Sequence, residues 1–163
     1  MEFLLIDPTT ISKTTILGGN VDVDKYRYCI FNAQITVLEP LLGTELYEKI
    51  LTDAEAVTLS GLYLELYDKF VKPLIKNEAL AEYLEVASYL VTNGGIYKHT
   101  AENSEVVDQK EAQYLAEKYH SIGQMYIQRF EKWICKNPLT EYKTWQDEVN
   151  ASKNIKTTSG WYL

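Results

Sequence analysis

Residues 108–135 read DQKEAQYLAEKYHSIGQMYIQRFEKWIC. Leu115, Tyr119, Ile122, Tyr126, Phe130, Trp133 and Ile134 recur every three or four positions, the period of an α-helix with one buried face. Asp108 and Glu111 have capping-box spacing, and Asn137-Pro138 closes the segment. At 1.5 Å of rise per residue, about 28 residues span roughly 42 Å. A helix of that length must bury its apolar face against other helices. The segment therefore predicts an all-α fold, an antiparallel helical bundle of four to five helices.

Working outward toward the N-terminus, residues 96–107 form a polar connector. A helix opening at Pro73 carries Leu80, Leu84, Ala87 and Val91 on one face, and Asn93-Gly94-Gly95 is a C-terminal stop. Before it, Leu59, Leu62, Tyr63, Leu66 and Phe70 predict a helix over about 56–71. A short helix carries Leu46, Tyr47, Ile50 and Leu51 inward, with Thr44 as its cap. A longer one starts at Asp22 or Asp24, has the stripe Tyr26, Ile30, Ala33, Val37, Leu41, and ends or kinks at Pro40. Residues 1–21 are an irregular arm, in which Phe3 to Ile6 give way to Asp7-Pro8 and a brief helix within Thr9 to Leu17. Gly18-Gly19-Asn20 forces a turn. The bundle domain is thus 1–137.

Residues 138–163 read as an extended tail, in which apolar positions thin out. The whole chain of 163 residues carries 23 acids, 16 bases and a net charge of -7. All 23 acids and 14 of the bases lie before residue 150, so that part is net -9, while residues 150–163 hold only Lys153 and Lys156. The chain then ends on Trp161-Tyr162-Leu163, large apolar area of the kind that anchors interfaces. A basic, aromatic-ended tail on an acidic body predicts docking to an acidic groove of a partner or of a neighbouring copy, with packing back on its own bundle as the rival. Lys153, Lys156, Trp161, Tyr162 and Leu163 are its candidate partner-binding residues. An acidic body argues against a protein that coats nucleic acid. Thirteen tyrosines against four phenylalanines indicate aromatic bodies with a polar end, in the core and at interfaces.

Catalytic templates find no match. There is no phosphate-binding glycine loop, G-x-S-x-G or H-E-x-x-H. Glu117 and His120 have the spacing of half a carboxylate-histidine metal site, but the second half is missing, and a surface ion pair is the simpler expectation. Glu78 and Glu82 form a like-charge i, i+4 pair on a run of acids that includes Glu85; a solvated face accounts for it, with a basic partner surface as the rival. Cys29 and Cys135 are expected to be reduced thiols of a cytosolic protein. The Asn150-Ala151-Ser152 sequon carries little meaning without secretion. Neither a signal peptide nor about 18 consecutive apolar residues is present, so no membrane is expected. No enzyme, cofactor or metal is expected.

Residues 26–51, YRYCIFNAQITVLEPLLGTELYEKIL, resemble a signature of tailed-phage proteins from Bacteroidetes hosts, including crAss-like phages. Residues 93–108, NGGIYKHTAENSEVVD, and 126–138, YIQRFEKWICKNP, match in the same order. The resemblance is to head–tail connector, or adaptor, proteins. It implies a structural virion protein, made in the host bacterial cytoplasm and sited in the neck. Roughly twelve copies would ring the portal protein's exit, joining capsid to tail and extending the DNA channel. Its partners would be portal, neighbouring copies of itself and downstream tail or neck proteins, with DNA passing through without specific binding. The alternative is a small helical regulatory or scaffolding protein that binds a host or phage factor through its C-terminal tail.

Overall fold

A computed structural model describes residues 3–17, 23–87, 89–92, 95–98 and 109–143. Among them are five helices: α1 (Pro8–Thr14), α2 (residues 27–42), α3 (Thr44–Glu55), α4 (residues 61–86) and α5 (Gln109–Ile134). The fold is an all-α bundle. Early residues of α4 meet late residues of α5. Glu65 accepts from the Trp133 indole at 3.3 Å, the Phe70 and Phe130 rings lie 6.2 Å apart, and Glu78 meets His120 further along. The two longest helices therefore run antiparallel. The core includes Ile30, Leu42, Leu46, Ile50, Leu66, Ile75 and Phe130, all essentially inaccessible to water.

Pro40 and Pro73 do not divide the helices as expected. Residues 61–86 form one helix instead of two, and residues 27–42 continue past Pro40. Ahead of each proline the chain widens into a π-turn, Gln34–Leu38 and Tyr67–Val71. The Glu39 amide donates to the Gln34 carbonyl, and the Lys72 amide to the Tyr67 carbonyl, each five residues back. A proline in a regular helix clashes with the carbonyl four residues before it. The wider turn ahead of it accommodates the ring and keeps the helix whole.

Each π-turn adds one residue to the turn, so the buried stripe changes phase across it. Tyr26, Ile30 and Ala33 are buried as the spacing predicts, but beyond the turn Leu38 and Leu42 take the core positions, and Val37 and Leu41 are only half-buried. Leu66 and Phe70 are buried as the spacing predicts, whereas Leu62, in the first turn of α4, is 38% exposed.

Gly43 alone links α2 to α3. Its φ of 78° with ψ of 158° lies in a region open essentially to glycine. Its amide closes α2 on the Glu39 carbonyl and its own carbonyl accepts from Tyr47, so Gly43, rather than Thr44, is the N-cap.

The fourth predicted helix ends at Val86, short of Val91. Tyr89–Thr92 and Gly95–Lys98 are antiparallel strands, β1 and β2, with Thr92 opposite Gly95. This register leaves two residues between the strands, Asn93 and Gly94, a dipeptide that favours tight hairpins as strongly as it stops helices.

The N-terminal arm is held by polar bonds as well as by apolar contact. Asp7 caps α1 by accepting from the Thr9 amide, with Pro8 at the first helical position. Buried Gln34 accepts from the Leu5 amide at 2.7 Å and donates to the Phe3 carbonyl at 3.3 Å. The Tyr67 and Tyr26 hydroxyls donate to the Leu5 and Pro8 carbonyls. The tyrosines thus supply apolar bodies to the core and hydroxyls that tie down backbone carbonyls of the arm.

Residues 138–143, the start of the predicted tail, lie on the bundle. Leu139 and Tyr142 pack against the core, the Tyr142 ring is 5.5 Å from Phe130, Glu141 accepts from Tyr63, and Lys143 reaches Glu45 at 2.8 Å.

Candidate functional site

The acids at 78, 82 and 85 recur at 4- and 3-residue intervals, so α4 presents them along one face, with the small Ala81 between them. That face lines a slot of about 250 Å³ closed by two other helices. Ala33, Thr36 and Val37 of α2 form one side, and Ala116, Glu117 and His120 of α5 the other. Methyl-sized side chains keep the slot open, and four carboxylates line it.

Glu78 is buried, 7% exposed, and its Oε2 bonds His120 Nδ1 at 2.8 Å. Its Oε1 has no hydrogen-bond partner. Burial pushes the carboxyl above the ordinary carboxylate range, while the His120 contact pulls it back. Gly123, one turn beyond His120 on α5, makes room for this carboxylate: a β-carbon there would fall on Oε1 and lie 2.9 Å from Cδ. Glu82 accepts from the Asn32 side chain at 2.6 Å. It too is raised, first by burial and then by the neighbouring charge of Glu85. The site thus concentrates negative charge in a place where that charge is poorly solvated.

His120 pairs with Glu78 on the facing helix and not with Glu117 on its own. Among the described residues no group of three His, Cys, Asp or Glu side chains is placed to hold a metal ion. Earlier on α4 the acids are ordinary surface partners: Glu65 with Lys69 and Asp68 with Lys72 form i, i+4 pairs. Cys29 is buried and Cys135 exposed, both as free thiols, and burial raises the Cys29 thiol to about 11, away from reactivity. No helix among the described residues is long and apolar enough to cross a membrane.

A second surface feature lies on α5. Tyr114 and Met125 are 69% and 61% exposed, and with Lys118, Ser121 and Ile122 they line a shallow outward groove.

The sequence-predicted partner residues Lys153, Lys156, Trp161, Tyr162 and Leu163 lie outside the described residues. The acids of the slot were legible as one helix face, but the walls contributed by α2 and α5 were not. Gly123 was the overlooked local signal, a glycine inside a long amphipathic helix, where it costs stability unless something packs against it.

A family model described as "Family of unknown function (DUF6712)" matches residues 38–155, well over half of the chain. No curated protein and no solved structure matches it.

Proposed function

We propose that this chain, which belongs to the DUF6712 family of unknown function, is a non-enzymatic structural protein of a tailed-phage virion: a head–tail connector that rings the portal exit and extends the DNA channel toward the tail. The observation that carries the proposal is the ordered resemblance of residues 26–51, 93–108 and 126–138 to connector proteins.

The architecture suits the role. A bundle clamped by Gln34 and turned sharply at Gly43 makes a stiff block, as a ring subunit requires. The exposed apolar residues of α5, Tyr114 and Met125, give such a block a face for a neighbouring copy. Net negative charge on the body lets DNA slide, because phosphate is repelled rather than gripped. Residues 150–163 reach the portal or the next subunit, with Trp161, Tyr162 and Leu163 as anchors and Lys153 and Lys156 as electrostatic guides.

Deletion of residues 150–163 tests this role in a pull-down on portal protein. Attachment is lost while the helical circular-dichroism signal persists. Retained attachment excludes the tail as the docking element.

A further inference from the structure

The outward row of α5 differs in charge from the rest of the molecule. Tyr114, Lys118, Met125, Arg129, Lys132 and Lys136 follow one another at helical spacing, and all are exposed. Glu117 and Glu131, the acids of that stretch, fall outside the row. On a chain of net charge -7, the longest helix thus shows solvent a row of bases and apolar side chains. Among the described residues Lys118, Lys132 and Lys136 have no acidic partner.

The outward row of α3 carries the opposite pattern. Glu45, Glu48, Thr52 and Glu55 are exposed at the same helical spacing. Lys49, the one base of α3, is turned to Asp53 and the Tyr63 ring. Val57, just beyond the helix, is 90% exposed, and its φ of 56° is an outlier for a β-branched residue. Each row therefore sets charges of one sign beside an exposed apolar residue, Met125 on α5 and Val57 on α3. The rows also match in length. At 1.5 Å per residue, Met125 to Lys136 spans roughly 16 Å and Glu45 to Val57 roughly 18 Å. Laid antiparallel, Lys136 faces Glu45, Lys132 faces Glu48, Arg129 comes beside Glu55 and Met125 meets Val57. Laid parallel, Met125 would meet Glu45 and Lys136 would meet Val57.

We infer that α5 of one copy packs its outward row antiparallel against α3 of the next. A second copy is the occupant because the charge complement of each row lies on the same chain. Lys143 already reaches Glu45 within one copy, so Lys132 with Glu48 and Arg129 with Glu55 carry the contact. The contact is head-to-tail: each copy turns α5 to one neighbour and α3 to the other, and the series closes into a ring where the rotation allows. The inference rests on the ring proposed above, for which it names the two faces of the subunit contact.

Disulfide trapping on the full chain tests this. Val57→Cys and Met125→Cys are introduced together with Cys135→Ser. Chains grown separately on ¹⁴N and ¹⁵N are mixed in equal amounts and oxidised with and without portal protein. The expected product is a disulfide between positions 57 and 125 that includes mixed-isotope pairs, which only two different chains can give. Its yield falls in Lys132→Glu and in Glu48→Lys and returns when the two are combined, while circular dichroism is unchanged because both side chains are exposed. Same-isotope pairs alone, or a yield indifferent to the charge reversals, would overturn the inference. Rings on portal without this disulfide refute the contact alone. The mixed-isotope disulfide without rings refutes the connector role alone, and the absence of both refutes both.

Discussion

Glu78 and His120 are joined across α4 and α5 at 2.8 Å, although Glu78 is buried and the His120 side chain is 56% exposed. The pair sits where the two longest helices pass each other, at the edge of the acidic slot. One partner faces the interior and the other faces water, so protonation of the carboxyl couples directly to the packing of α4 on α5.

That coupling has a definite sign. The folded chain raises the Glu78 carboxyl above its ordinary value of 4.5. Burial, the larger cause, raises it, and the contact with His120 of α5 lowers it. A carboxyl raised in the folded state contributes most below the unfolded value, and that contribution is lost as pH rises through the folded value. Glu78→Gln keeps a polar group toward His120 but cannot ionise. Its melting temperature should exceed that of the natural chain at neutral pH, with the difference closing as pH falls to about 4. Thermal melts across this range check it, and a constant difference would contradict it.

Gly123 is expected to behave oppositely in two backgrounds. In the natural chain Gly123→Ala displaces the Glu78 carboxylate and should cost about 1–3 kcal/mol as an overpacked contact. Combined with Glu78→Ala the obstacle is gone, and the same change should add up to about 1 kcal/mol through helix propensity. A urea-denaturation cycle of the four chains measures the reversal.

Gln34 holds the N-terminal arm by both ends of its amide. Gln34→Ala removes one buried and one partly buried hydrogen bond and leaves the Leu5 amide unsatisfied, a loss of about 2–4 kcal/mol. Tyr67→Phe, which frees only the Leu5 carbonyl, should cost about 1 kcal/mol. Chemical denaturation gives both values, and limited proteolysis should cut within residues 3–17 faster in Gln34→Ala.

Much of this fold is legible in the residues. The stripe from Leu115 to Ile134 lies in one helix that ends a residue short of the expected Cys135, while the expected start at Asp108 lies outside the described residues, and the brief helix expected within Thr9 to Leu17 is α1, Pro8–Thr14. The failures have a common physical origin. Pro40 and Pro73 are strong local signals for a helix boundary, yet tertiary packing holds α2 and α4 continuous, and a π-turn absorbs the ring. Nothing in the residues of Gln34–Leu38 or Tyr67–Val71 announces that turn. The fourth predicted helix ends at Val86, short of the stop expected at Asn93-Gly94-Gly95, and Asn93 and Gly94 lie outside the described residues. The slot is visible in sequence only as three acids on one face, because its other walls come from residues about 40 positions away on either side. The break between α2 and α3 was expected at Pro40 with Thr44 as the cap, and it falls instead at Gly43, whose conformation makes it an obligatory corner.

The central claim is that the chain is a ring subunit on a portal. Cryo-electron microscopy of the full-length chain mixed with portal protein tests it most directly. The account predicts closed rings of fixed copy number, roughly twelve, seated coaxially on the portal exit. Portal particles with no added density, beside a chain that stays monomeric in solution, would contradict it.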